Sequence, residues 1–299
     1  MNGDGRAMSA EPILQILVFG VFVGALYGIA AVGLALVFGV MRVLNVAHGE
    51  LLMLGGYASF WLFALGRVDP FVSLLIAGPA LFALGLVLNA GLFRHVVRLD
   101  EERKINSSLL IGFGLALILQ NVAIQLWTAD ERGVNTAYSG LGLQLFGIAF
   151  PYTRLGGLAA ALVAIFALHL FLQRTYVGKS IRATAEDWEA AELAGVNVGR
   201  VYLLTFALGS ALAGIAGTLV SIGFTIAPSI GLTWTIKALI VVVLAGLGSI
   251  FGVFGAGILL GVIEALSVLA IGASYREVVG LVLFLLALLL RPQGLFGAR

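Results

Sequence analysis

The 299-residue chain is 61% hydrophobic and only 11% charged, with a net charge of +2 and no cysteine. A soluble domain carries about 25% charged residues, so a water-soluble enzyme with its own catalytic domain is excluded. The missing Cys removes disulfides, thiolate nucleophiles and Cys-based metal sites. At about 20 residues per bilayer-spanning helix, the apolar content supplies about nine spans.

Taken in chain order, the apolar runs fall at 13–40, 51–65, 71–93, 109–127, 155–172, 201–222, 236–247, 251–271 and 278–290. The second and seventh are short, so the count is eight or nine spans in an all-α, polytopic transmembrane bundle. Pro12 suits the start of the first helix. Arg6 is offset by Asp4 and Glu11, and the first run is far longer than a signal-peptide core; residues 1–35 therefore read as a retained span.

The loop cations set an orientation, because cytoplasmic loops are enriched in Lys and Arg. Arg42, the group Arg94, Arg98, Arg103 and Lys104, the group Arg174, Lys179, Arg182 and Arg200, and the terminal Arg291 and Arg299 can all share one side. Arg6, Arg67, Arg132, Arg154 and Arg276 fall on the other, with Lys237 near an outer helix end. This predicts a cytoplasmic C-terminus and an external N-terminus. Cations so scattered suit a membrane-lipid environment and give no nucleic-acid surface.

The 40 glycines are concentrated in the apolar runs, where small residues let helix backbones approach closely. Gly20, Gly24 and Gly28 share one face, as do Gly257 and Gly261. Gly39, Gly49, Gly55, Gly56, Gly246 and Gly248 interrupt short hydrophobic segments in the two halves, a pattern that points to broken helices beside a transport pathway.

Two segments carry polar groups in quantity. In 41–50, Arg42, Asn45, His48 and Glu50 lie between two apolar runs. If Asn45 caps a helix starting near Val46, the N–H groups of that helix start favour a carboxylate. The alternative is a plain polar turn. His48-Gly49-Glu50 lacks the second His of a zinc protease, the only other histidines being His95 and His169, so no metal site is expected. No Gly-x-Ser-x-Gly occurs either, and no catalytic residue is assigned. In 173–200, Gly178-Lys179-Ser180 resembles the end of a phosphate-binding loop, but Gln173 stands where that loop needs Gly. The stretch from Ser180 to Ala194 alternates apolar and charged positions as one amphipathic helix does, with Gly195 placed to end it. Glu264, inside the eighth run, either faces the pathway or pairs with Lys237 or with another subunit. Asn45, His48, Gly49, Glu50, Gly246, Gly248 and Glu264 are therefore the candidate pathway residues.

Several of these motifs match a known family in order. Glu189-Ala190-Ala191-x-x-x-Gly195 resembles the cytoplasmic loop by which permeases of ABC importers dock on an ATPase subunit. Asn45-Val46-Ala47-His48-Gly49-Glu50 with Met53, Gly55 and Tyr57 resembles the signature of the H-type permease of branched-chain amino-acid importers, with Gly56 where that family has Ala. Arg182-Ala183, Leu193-x-Gly195-Val196-Asn197-Val198, Leu212-Ala213-Gly214-x-Ala216-Gly217, Val243-Leu244-Ala245-Gly246-Leu247-Gly248-Ser249, Glu264 and Arg291-Pro292-Gln293-Gly294-Leu295-Phe296-Gly297 are similar to it too. The resemblance runs from Leu14 to Gly297. The chain departs from the maltose-type continuation of the docking loop at Thr205-Phe206-Ala207.

The resemblance implies that residues 1–299 form a single permease domain of an ABC importer in the bacterial inner (plasma) membrane, with a cytoplasmic coupling helix within about 180–195. It implies a second permease subunit, two ATP-binding subunits and an extracytoplasmic substrate-binding protein as partners. ATP and Mg are expected on the ATPases and no cofactor on this chain. Arg182, Glu186, Glu189, Ala190, Ala191 and Gly195 are the implied ATPase-coupling residues, and a branched-chain or other hydrophobic amino acid is the implied cargo. A permease for urea, short amides or another amino acid is the runner-up. A secondary transporter or channel leaves the amphipathic segment without a purpose.

Overall fold

The computed structural model describes residues 10–97, 99–145, 147–246, 248–291 and 293–296; Arg6, Asp4, Arg98, Leu247, Pro292, Gly297 and Arg299 lie outside the described residues. The fold is helical. Helix α1 (Ala10–Met41) has 32 residues, which at 1.5 Å per residue is about 48 Å, longer than a bilayer core. It is apolar on every side, and from Gly20 onward most of it is buried, as expected of a helix packed within a bundle.

Helix α2 (His48–Gly66) and α3 (Pro70–Leu88) follow. Asp69 caps α3 by accepting from the Phe71 N–H at 2.8 Å, and Pro70 fills the first turn. A π-helical turn at Asn89–Phe93 and a short piece at Arg94–Val96 extend α3. Next come α4 (Glu101–Trp127), a two-stranded antiparallel ribbon of β1 (Gly142–Leu145) and β2 (Ile148–Pro151), and α5 (Tyr152–Arg174). The remaining helices are α6 (Tyr176–Glu186), α7 (Trp188–Leu193), α8 (Val198–Gly223), α9 (Ile230–Ala245), α10 (Ile250–Ile271) and α11 (Arg276–Leu290).

Among the described residues eight helices are long and apolar enough to cross a membrane, and α9, with 16 residues, is shorter. The short second run of the sequence is thus a 19-residue helix, because His48, Gly49 and Glu50 belong to it. The seventh run begins earlier than its hydropathy, at Ile230. The outer helices turn apolar side chains outward, among them Leu110 and Ile118 of α4 and Leu285 and Leu289 of α11, the surface a bilayer covers.

Glycines set the packing of the interior. Gly20, Gly24 and Gly28 of α1 lie against the backbone of α10 at Gly257, Ile258 and Gly261, with no room for a side chain on either helix. On α8, Gly209 meets Gly33, Gly214 meets Gly55 and Leu81, and Gly217 meets Leu52 and Gly56. Gly39, Gly49, Gly55 and Gly56 therefore do not break helices. They lie inside α1 and α2, where the last three admit close neighbours. Gly246 does end a helix, with φ +77°, and Gly248 lies exposed in the turn that follows.

The stretch from Ser180 to Ala194 is not one amphipathic helix. Asp187 breaks it: its backbone is extended, and its side chain accepts from the Ala190 N–H at 3.0 Å to cap the new helix α7. Gly195, at φ +86°, ends α7 as the sequence indicates.

Candidate functional site

The segment after α1 turns back along that helix. Arg42 takes a left-handed conformation, φ +54°, and stops α1. The Leu44 N–H then donates to Ser108 Oγ of α4 at 3.2 Å. Asn45 does not cap α2. Its side chain accepts from the Ala47 N–H at 3.1 Å, and Ala47 occupies the position before the helix without a side-chain bond. The two-residue reach of an Asx turn explains the difference.

His48, the first residue of α2, is 1% exposed and places Nε2 2.9 Å from the carbonyl of Ala30. A carbonyl only accepts, so Nε2 carries the proton. Ala30 lies eleven residues before the end of α1, so α2 begins about 16 Å inward from that end. It is a helix that starts within the protein interior.

Helix α9 closes over this start. Thr235 Oγ1 accepts from the Gly49 N–H at 2.8 Å and donates to the Val46 carbonyl at 3.0 Å. Gly49 faces the Gly231 carbonyl so closely that any side chain would collide with it. The N–H groups of Ala47, His48, Gly49 and Glu50 are all engaged within the chain, so the start of α2 offers no free donor to a carboxylate in this conformation. Glu50 is 2% exposed and its carboxylate rests on the Cα of Gly231, with Oε2 bonded to nothing among the described residues.

Glu264 lies in a different cluster. It is fully buried, and its two oxygens accept from Lys237 Nζ at 2.5 Å, Arg276 Nε at 3.1 Å and the Tyr27 hydroxyl at 3.0 Å. Thr235 and Lys237 are two residues apart on α9, a spacing that does not share a helix face. Helix α9 therefore stands between the Asn45–Glu50 turn and the ion cluster. Gly246 and Gly248 join neither: they form the α9–α10 turn, where the Leu295 and Phe296 N–H groups donate to the Leu244 and Ala245 carbonyls at 2.8 Å. His169 packs its ring on Phe251, centroids 4.7 Å apart.

At one end of the bundle a cleft of about 1200 Å³ is lined by Arg42, Arg94, Lys104 and Arg200 together with Asp100, Glu186, Glu189 and Glu192. The cations that the loops carry near 42, 94–104 and 200 thus meet at one end. Helices α6 and α7 edge this cleft. Ala191 is buried, whereas Trp188 and Leu193 are exposed. Arg182, Glu189 and Ala190 are exposed, Glu186 also, and Gly195 has open space around it.

The sequence matches the family described as the permease component of the branched-chain amino-acid transport system over residues 16–288. The chain belongs to this family. It is 32% identical to the high-affinity branched-chain amino-acid transport system permease protein BraD of Pseudomonas aeruginosa, covering 95% of both chains. It is 31% identical to LivH of Escherichia coli K12, again over 95% of both. The permease LivM of the same organism is 29% identical, over 90% of this chain and 67% of LivM. The chain is thus a multi-pass membrane permease component and not an enzyme. Two features of this permease escaped the sequence pattern. Thr235 is one of many threonines in apolar runs, and nothing in its neighbourhood marks it. The ribbon at 142–151 has a visible signal, the alternation of Leu143 and Leu145 with a glycine at 147.

Proposed function

We propose that this chain is one of two permease halves of an ATP-driven importer for branched-chain amino acids in the bacterial inner membrane. The other half is a LivM-like permease, two ATPases that hold ATP and Mg work from the cytoplasm, and an extracytoplasmic binding protein delivers the substrate. The observation that carries the reading is the pair α6 and α7. These short helices at the cation-rich end display Trp188 and Leu193, the latter 91% exposed, beside Glu186, Glu189 and Glu192. Apolar side chains presented this way outside the spans suit a protein partner. The excess of Arg and Lys at that end supports its cytoplasmic placement, and with it a cytoplasmic C-terminus.

In this reading closure of the ATPase dimer displaces the α6–α7 pair, and α5 and α8, which flank that pair in the chain, carry the movement into the bundle. The α2–α9 contact at Thr235 is where the bundle parts. The first test is gentle extraction of the tagged chain from its own membranes with mass spectrometry of what co-purifies. Two ATPases and a second permease are expected. The chain alone, transporting in proteoliposomes without ATP, would overturn the reading. In the assembled importer, Glu189→Lys and Gly195→Leu are expected to keep ATP hydrolysis and lose uptake; normal uptake in both would remove the docking role.

A further inference from the structure

A buried carboxylate in a membrane-spanning helix is costly unless something opposite in charge or rich in N–H donors meets it. Among the described residues Glu264 has such partners in Lys237, Arg276 and Tyr27. Glu50 has no hydrogen bond from Oε2 and no ion pair. What it faces is the first turn of α9. Its carboxylate rests on Gly231, the second residue of that 16-residue helix, where a Cβ would occupy the carboxylate's own space. The first N–H groups of a helix have no partner within it, and that end carries partial positive charge. The Ile230 N–H donates to the Ala227 carbonyl at 3.2 Å, and no hydrogen bond joins the N–H groups that follow to Glu50, so the two are apposed but not bonded. On the other side, Leu232 and Thr233 of the same turn are exposed.

We propose that Glu50 and the first turn of α9 are the two poles of the substrate site, collapsed on each other in this conformation. An α-amino acid is a zwitterion, and it fits between the poles with its charges reversed relative to theirs: its ammonium on the Glu50 carboxylate, its carboxylate on the N–H groups of α9. The absence of a side chain at Gly231 lets the poles close when the site is empty. Release of the Thr235 bonds to Gly49 and Val46 opens it. This assignment rests on the importer reading and places both the cation-binding and the anion-binding end of the solute. The same carboxylate would accept from the NH₂ of an uncharged amide, whose carbonyl gives the α9 N–H groups a neutral acceptor in place of a charged carboxylate.

The test uses the complete importer, with both permeases, the ATPases and the cognate binding protein, in proteoliposomes supplied with ATP and radiolabelled leucine. Glu50→Gln is expected to lower leucine uptake about tenfold or more, as loss of one charge-assisted hydrogen bond implies, while ATP hydrolysis stimulated by the loaded binding protein persists. Glu50→Asp is expected to recover part of the uptake. A wild-type ratio of leucine moved to ATP hydrolysed in Glu50→Gln overturns the site. The chain has no cysteine, so Thr233→Cys with Glu50 intact gives a second measurement that does not disturb the carboxylate. Its labelling by a small thiol reagent is expected to slow when leucine is present during turnover, and labelling indifferent to leucine overturns the site even if Glu50→Gln fails to assemble. Failure of the wild-type importer to move leucine with ATP counts against the importer reading itself, a result separate from either variant's.

Discussion

At the scale of single residues, the start of α2 depends on one hydroxyl. Thr235 satisfies the Gly49 N–H, which is buried, and the Val46 carbonyl, which is partly buried, together. Thr235→Val keeps the shape and deletes both bonds, and each buried group left unpaired costs about 1–3 kcal/mol. The variant is expected to unfold at a lower temperature in detergent, while Thr235→Ser, which keeps the hydroxyl, stays near the wild type; equal melting of Val and Ser variants would show the bonds to be dispensable. Asn45, His48, Gly49 and Glu50 were legible as a group because polar residues between apolar runs are conspicuous. Their partners were not, since Ala30, Gly231 and Thr235 are ordinary residues of hydrophobic helices. The expected cap by Asn45 failed for a local reason: its side chain reaches Ala47, one residue short of the helix.

Among elements, the α1–α10 pair shows how much a spacing rule conveys. Glycines four apart on one run and a matching pair on another were enough to anticipate close packing, and the two helices do meet backbone to backbone at Gly24 and Gly257. Gly24→Leu has no cavity to enter, so the helices must separate. Overpacking of this kind costs about 1–3 kcal/mol, and the expected result is a lower melting temperature and less folded protein in the membrane; an unchanged melt would mean that the contact is looser than it looks. Gly255, with open space around it, is the control position on the partner helix α10. The same rule failed for Gly49, Gly55 and Gly56, read as interruptions. A glycine that admits a neighbour and one that ends a helix look alike in sequence, and only the contacts with α8 and α9 distinguish them. The break between α6 and α7 was hidden likewise, because Asp187 sits among helix formers and its capping bond to Ala190 is a competing local preference.

For the molecule as a whole, distant segments of the chain are tied at the end opposite the cleft. Arg132 and Ile226 exchange backbone hydrogen bonds, Thr225 donates to Glu131 at 3.0 Å, and the Tyr138 hydroxyl donates to Asp69 at 2.8 Å. The Gln15 side chain holds the ribbon through both polar groups of Ala149. Burial first, and then the bond to Asp69, push the Tyr138 phenol up to about 12. A free phenol ionises near pH 10, so the folded state retains the proton longer than the unfolded one does. The tie contributes fully below pH 10 and is lost as pH rises from about 10 to 12. Protease resistance of the 128–141 loop is expected to fall across that interval, and Tyr138→Phe to be sensitive already at neutral pH; a wild-type loop cut equally at both ends of the range would refute the tie. Span number and the grouping of cations could be read from composition. These ties could not, because they join residues from 69 to 134 positions apart.

The Lys237–Glu264–Arg276 cluster also constrains how the permease enters its membrane. A lone Lys or Arg at the middle of an inserting helix costs about 2.5–3.5 kcal/mol, and α9 has only 16 residues to offset it. Helix α10 faces the same problem with Glu264. Side by side they neutralise each other, and Arg276, at the head of α11, adds a second cation to the same carboxylate. Partitioning into lipid is therefore expected to favour α9, α10 and the head of α11 together over any one of them alone, because only together are their charges neutralised.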